Sequence, residues 1–270
     1  MEDLFTYAFL RHALLAATSV ALGASVVGYF LVGRGMTFAA HALPNIGFAG
    51  AMGAVVLGLP PFWGLLAFSG GAATVFSFLG KESRQRDQGI GIVMVFALGL
   101  GALFLSLYRG STQRAYGILF GSLLGIDGAE AWGTLITSVA VVLVLLVLFR
   151  PLLFSTFDAE AARARGVPVR LLGWVFLLLT ALMVARTVPV TGTLLVFTLL
   201  VGPAASTRLL TRRSWAGLLL AVVFAEVEVL AGLGLAIWLD TIPVGFFVTT
   251  VSFLVYLAVR WGVRRFPWKH

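Results

Sequence analysis

Nine apolar windows, each close to the ~20 residues that an α-helix needs to cross a bilayer, follow one another along this chain. They lie at about 8–32, 35–58, 61–80, 89–108, 131–149, 171–188, 191–207, 215–239 and 242–259. A soluble domain carries about 25% charged residues. Here 60% of residues are hydrophobic and 11% charged, more apolar surface than a soluble core of 270 residues can hide. Lipid is therefore the solvent for most of the chain. The expected fold class is an all-α integral membrane protein. It is a polytopic bundle of 8–9 transmembrane helices in one transmembrane domain over residues 1–270.

The basic residues orient the bundle. If the loop "GKESRQRDQ" (Gly80–Gln88) is cytoplasmic, fifteen of the 19 Lys and Arg fall on its side. Arg11, Arg109, Arg114 and Arg186 fall on the other. This positive-inside bias puts the amino terminus outside and the carboxyl terminus in the cytoplasm. Loss of the first or the seventh span would leave eight and move the amino terminus. The net charge of +8 reads as this bias and not as a nucleic-acid surface. The absence of cysteine excludes disulfides, thiolate metal sites and thiol catalysis. Glu2 and Asp3, ahead of a long apolar run, do not suit a cleaved signal peptide.

Two further elements are expected between the spans. "YGILFGSLLGI" (Tyr116–Ile126) is too short to cross and is bounded by glycines, which suits a re-entrant or interfacial helix. The loop Arg150–Arg170, "RPLLFSTFDAEAARARGVPVR", is the longest polar stretch. Asp158 suits an N-cap, "AEAARAR" a helix of about two turns, and Gly166 with Pro168 its stop. Such a helix is either a connector or a docking element for a cytoplasmic partner.

Polar side chains at membrane depth are costly and mark candidate sites. Thr37, His41 and Asn45 are spaced i, i+4, i+8 and share a helical face. Imidazole is the commonest ligand for zinc-like metals. Pro44 donates no hydrogen bond to the carbonyl of Ala40, which adds an oxygen to the same turn. The alternative is a histidine that hydrogen-bonds a neighbouring helix as interhelical glue. Glu226 and Glu228 fall near the middle of the eighth span. Two residues apart, they point about 200° from each other. One could face a pathway and the other a neighbouring helix.

Taken in order, these stretches resemble the permease subunits of ABC-type importers for zinc, manganese or ferrous iron. The family's cytoplasmic loop has the form Phe-Asp-x-Glu-x-Ala-x-x-x-Gly, matched by Phe157, Asp158, Glu160, Ala162 and Gly166. "VTGTLLVFTLLVGPAASTRLL" (Val190–Leu210) is similar to a second motif through Gly192, Leu194, Leu195, Pro203, Ala204, Ala205 and Arg208. "GIGIVMVFALGLGALFLSL" and "LFGSLLGI" resemble the family's fourth span and the short helix after it. Asp240, Pro243 and Gly245 match its last external turn.

The resemblance implies a homodimer in the bacterial cytoplasmic membrane. It implies two copies of a separate ATP-binding subunit and an extracytoplasmic metal-binding protein that delivers zinc or manganese. Phe157–Gly166 would couple ATPase closure to movement of the spans, with Gly192 and Pro203 at gating or packing positions. This chain would bind no cofactor of its own and would not be an enzyme. Consistently, its one Gly-Lys pair, Gly80–Lys81, precedes Glu82 and makes no phosphate-binding loop. The family's second span carries Asp-x-x-x-His, thought to hold the transported metal. His41 matches, but Thr37 stands where the acid would be. Either the ion is held differently or the ion is different, and Glu226 or Glu228 is the candidate for the missing charge.

The rival reading is a proton-coupled secondary transporter using His41, Glu226 and Glu228. Such folds often carry two similar halves, and residues 1–130 and 131–270 show no such match. An intramembrane enzyme lacks support, since neither His-Glu-x-x-His nor Gly-x-Ser-x-Gly occurs.

Overall fold

The computed structural model describes residues 8–79, 83–110, 117–239 and 243–265, without the side chains at 83, 124 and 194. Asp240, Lys81 and Tyr116 lie outside the described residues. Ten helices are followed here: α1 (Ala8–Gly33), α2 (Thr37–Val56), α3 (Pro61–Phe78), α4 (Ser83–Leu107), α5 (Gly128–Val147), α6 (Phe149–Phe157), α7 (Ala159–Ala164), α8 (Val169–Leu210), α9 (Ser214–Leu239) and α10 (Val244–Arg265). Eight of the helical segments are long and apolar enough to cross a membrane, and Leu195–Leu210 is a shorter apolar helix.

The expected break between the sixth and seventh windows falls inside α8. Gly192 has φ 80° and ψ 161°, values that interrupt the helix. Contacts along α1 fix what happens there. On the upstream arm, Met183 meets Gly23 and Phe176 meets Phe30, so numbers fall as α1's rise. On the downstream arm, Leu200 meets Gly28 and Arg208 meets Gly33, so numbers rise with α1's. The arms run in opposite directions, and α8 is a helical hairpin turned at Gly192. The downstream arm is the shorter apolar helix, antiparallel to the upstream one.

Packing follows small residues. Without a hydrophobic effect between helices in lipid, close backbone approach supplies the contact energy. Gly50 and Gly64 sit against each other's backbone, so α2 and α3 pack with no room for a Cβ on either. α8 is the centre of the bundle and touches α1, α2, α3, α5, α9 and α10. α1 and α2 are almost wholly enclosed, whereas α4 and α10 keep most of their surface outward. The outward faces carry Ile92, Val95, Phe96, Trp132, Ile136 and Phe253, side chains suited to lipid or to another apolar helix.

Two boundaries differ from the hydropathy windows for one reason. α4 begins at Ser83 and α10 runs to Arg265, each about six residues beyond its apolar run. Hydropathy reports the length in lipid. Ser-Arg-Gln-Arg and Val-Arg-Arg continue the helix into water.

Candidate functional site

The face predicted from Thr37, His41 and Asn45 is the open face of α2. Between residues 37 and 54 every side chain is buried except Thr37, Phe38, His41 and Asn45, which are half-buried. The imidazole lies between two rings. Its centroid is 5.4 Å from that of Phe197, edge-on at 83°, and 6.5 Å from that of Phe38. Phe197 belongs to the downstream arm of α8, so the hairpin forms one wall of the opening. Asn45 Nδ2 donates to the carbonyl of His41 at 2.8 Å. That bond uses one of the two amide hydrogens locally and leaves Oδ1 as the oxygen available to a cation. Thr37 starts the helix, one turn nearer the membrane surface.

Glu228 is fully enclosed between helices. A side chain added at Gly202 would meet both Ser252 Oγ and Glu228 Oε2, which puts the carboxyl group between the downstream arm of α8 and α10. Neither oxygen has a well-aligned hydrogen bond. Phe197 and Gly202 lie about 140° apart round that arm. One side of it therefore faces His41 and another faces Glu228, and the arm stands between them. Glu226 is half-buried on a different side of α9. Among the described residues no three His, Asp or Glu side chains come together.

The second candidate element is built locally. Asp158 Oδ1 accepts from the backbone N–H groups of Glu160 and Ala161 at 3.0 and 2.8 Å, the expected N-cap of α7. At the other end Gly166 N–H donates to Arg163 O at 2.9 Å and Val167 N–H to Ala162 O at 3.0 Å. This is a Schellman closure, with Gly166 at φ 80° in the left-handed position that favours glycine. Ala162 is the buried contact of α7, while Phe157, Glu160, Arg163 and Arg165 are exposed. A large apolar side chain, Phe157, thus stands in the open beside a short rigid helix. Pro203, the other motif residue, is buried in the downstream arm of α8.

What holds α6 and α7 against the membrane bundle was not visible from the motifs. Arg34, in the turn after α1, donates through Nη2 to Ser155 Oγ at 2.7 Å and through Nε to Thr156 Oγ1 at 3.2 Å. Its guanidinium also lies 5.2 Å from the centre of the Phe176 ring. Burial pulls Arg34 down to about 10, which leaves it charged at neutral pH. Arg208 in turn joins the downstream arm of α8 to α1, donating to Tyr29 O at 3.3 Å. The sequence signal was "GRG" at a span boundary, which identifies a loop arginine but not its partners.

A many-pass bundle with a rigid, capped helix on its basic side defines the class of a transport permease. Residues 6–262 match the ABC 3 transport family, and the chain belongs to that family. It is 31% identical over 258 residues to a manganese transport system membrane protein of Halalkalibacterium halodurans, MntC, covering 95% of this chain and 88% of that one. It is 29% identical over 258 residues to a manganese import system permease protein of Streptococcus parasanguinis, ScaB, covering 95% and 91%. Among solved structures, PsaBC from Streptococcus pneumoniae in complex with Fab matches with a TM-score of 0.86 at 26% identity, over 96% of this chain and 93% of that one. The chain is thus a multi-pass protein of the bacterial cytoplasmic membrane.

Proposed function

We propose that this chain is the transmembrane subunit of an ATP-driven importer for manganese or zinc, and that the ion passes the face of Thr37, His41 and Asn45. The observation that carries the reading is the opening of α2 at that face alone. One imidazole nitrogen beside hydroxyl and amide oxygens is a donor set for a borderline or hard divalent cation, and no thiolate is available. The relatives' descriptions as manganese transport proteins support the same class of cargo. The set is short of charge, which suits an ion in passage more than one held.

ATP is hydrolysed by a separate cytoplasmic subunit, present in two copies, that receives α7. An extracytoplasmic metal-binding protein delivers the ion, and two permease chains form the dimer. Closure of the ATPase pulls α7, and the Arg34 and Arg208 ties pass that pull to α1 and α8. Alternating access is then a rigid-body movement of the bundle. The test is uptake of radioactive manganese and of zinc by cells carrying the wild-type chain or His41→Ala. Loss of uptake in the variant, with equal membrane abundance, supports the reading. Uptake that survives ATP depletion and collapses with the proton gradient overturns it. That outcome would favour proton relay, to which the enclosed Glu228 carboxyl group lends itself.

A further inference from the structure

A cavity of about 530 Å³ opens at the basic side of the bundle. Its walls are the end of α3 (Phe76, Phe78, Leu79), the start of α8 (Val169, Arg170, Leu171, Trp174) and the turn after α1. Arg34, Arg86, Arg163 and Arg170 all line it, and no carboxylate does among the described residues. Arg34 and Arg86 are held in place. Arg34 bonds Ser155 and Thr156, and Arg86 Nη2 donates to Gly35 O at 2.8 Å, with Asp87 Oδ1 4.0 Å from its Nε. Arg163 and Arg170 are exposed and have no ion-pair partner among the described residues.

The first turn of α8 also enters this wall. Its N-cap residue, Pro168, supplies no side-chain cap. Val169 N–H is taken by Val167 O at 2.8 Å, and the next N–H groups of the first turn, with the positive end of the helix dipole, lie at this wall. Apart from Ser77, the remainder of the lining is largely apolar. Phe78 and Leu171 are exposed on the bundle's outer surface, and the Trp174 indole is anchored by a 3.2 Å hydrogen bond to Thr74 Oγ1.

We propose that this cavity binds one anionic phospholipid of the cytoplasmic leaflet, its phosphate among the arginines and its chains against Phe78 and Leu171. Each half of the cavity has a matching half of such a molecule. Arginine forks and free helix N–H groups suit phosphate oxygens. A tryptophan at the interface and exposed apolar side chains suit the glycerol and acyl region. The volume fits a headgroup and its linkage, within the range of small-molecule sites of about 300–1,000 Å³. A soluble acidic protein segment would use the arginines and leave the lipid-facing wall unmatched. The proposal does not depend on the nature of the transported ion.

The test is native mass spectrometry of the full-length chain in mild detergent, with added phosphatidylglycerol or phosphatidylcholine. The wild-type chain is expected to retain one phosphatidylglycerol and no phosphatidylcholine. Inorganic phosphate should not displace it. Arg86→Gln with Arg170→Gln should weaken retention about 30-fold. Arg212→Gln with Arg213→Gln, on the loop between α8 and α9, should leave it unchanged. Equal retention of the two lipids by the wild-type chain overturns the proposal without recourse to any variant. So does displacement by phosphate, or equal loss in both double variants. A cavity that takes an acidic peptide from the ATPase in preference to the lipid overturns it as well.

Discussion

Gly121 and Gly192 meet backbone to backbone, each with positive φ, and neither leaves space for a Cβ on the other. The turn of α8 is thereby clamped to the short segment after residue 117. Thr193 Oγ1 donates to Leu119 O at 3.3 Å and Ser122 N–H to Pro189 O at 3.4 Å, on either side of the glycine pair. Gly192→Ala should therefore cost more than the penalty of about 1–3 kcal/mol for a side chain in this sparsely populated positive-φ region, because it also pushes the segments apart. Gly121→Ala should do the same, and the double variant should not recover. Thermal unfolding in detergent measures this. A Gly192→Ala chain that melts with the wild type would refute the clamp.

Asp158 and Gly166 close the two ends of α7. Asp158→Ala should cost about 1 kcal/mol of local stability, since two backbone N–H groups lose their acceptor, whereas Asp158→Ser should retain most of it. Because α7 carries few buried contacts besides Ala162, global melting should shift little. The readout is co-purification of the ATPase and ATP-driven uptake, both reduced in Asp158→Ala and largely kept in Asp158→Ser. Phe157→Ala tests the exposed contact itself, with reduced ATPase retention and an unchanged melt expected.

The ends of α7 were legible because capping is local: donor, acceptor and glycine all lie within ten residues. The apolar windows were legible for the same reason, including the break after Val188, which the fold realises as the turn at Gly192. The pairing of Gly192 with Gly121 was not, since it joins residues 71 apart and each glycine alone reads as one more small residue in a small-residue-rich chain. Likewise the i, i+4, i+8 spacing placed Thr37, His41 and Asn45 on one face. Only the bundle shows that this face is the open one and that Phe197 stands in its wall.

Arg34 should resist conservative replacement. Its fork reaches Ser155 and Thr156 at once, and a lysine offers one ammonium on a flexible stem. Arg34→Lys is thus expected to weaken the attachment of α6, and Arg34→Met to lose about 1.5–3 kcal/mol for charge-assisted bonds. Coupling should suffer before folding does. ATP hydrolysis by the assembled complex should continue while uptake per ATP falls. Unaltered stoichiometry in Arg34→Met would show that α7 transmits its movement by another route.

His41 and Asn45 should separate in effect. His41→Ala removes the one nitrogen donor of the open face and should reduce uptake at least about tenfold, the loss expected when a metal loses a principal ligand or its support. Asn45→Ala removes a side chain whose amide is already bonded to the His41 carbonyl, so a smaller loss is expected, in apparent affinity more than in maximal rate. Thr37→Asp places a carboxylate one turn from His41 and should tighten apparent affinity for divalent ions. Initial-rate uptake over a range of manganese concentrations distinguishes the three. Identical kinetics for His41→Ala and the wild type would remove this face from the ion's path.

Glu228 offers a test in which stability and activity move in opposite directions. A carboxyl group enclosed by α8, α9 and α10 without a well-aligned hydrogen bond is costly to keep. Glu228→Gln keeps its shape and removes its capacity for charge, so the folded chain should gain about 0.5–2 kcal/mol, as when a costly functional site is relieved. A residue kept at such a cost without a function would be unexpected. Uptake in Glu228→Gln should accordingly fall while the melting temperature rises, the relation seen where a strained site serves activity. Glu226→Gln, on a half-buried side of the same helix, should change melting little. If Glu228→Gln raises stability and transports like the wild type, the carboxyl group takes no part in the ion's passage. The charge absent at Thr37 must then come from elsewhere, including the facing surface of a second permease chain.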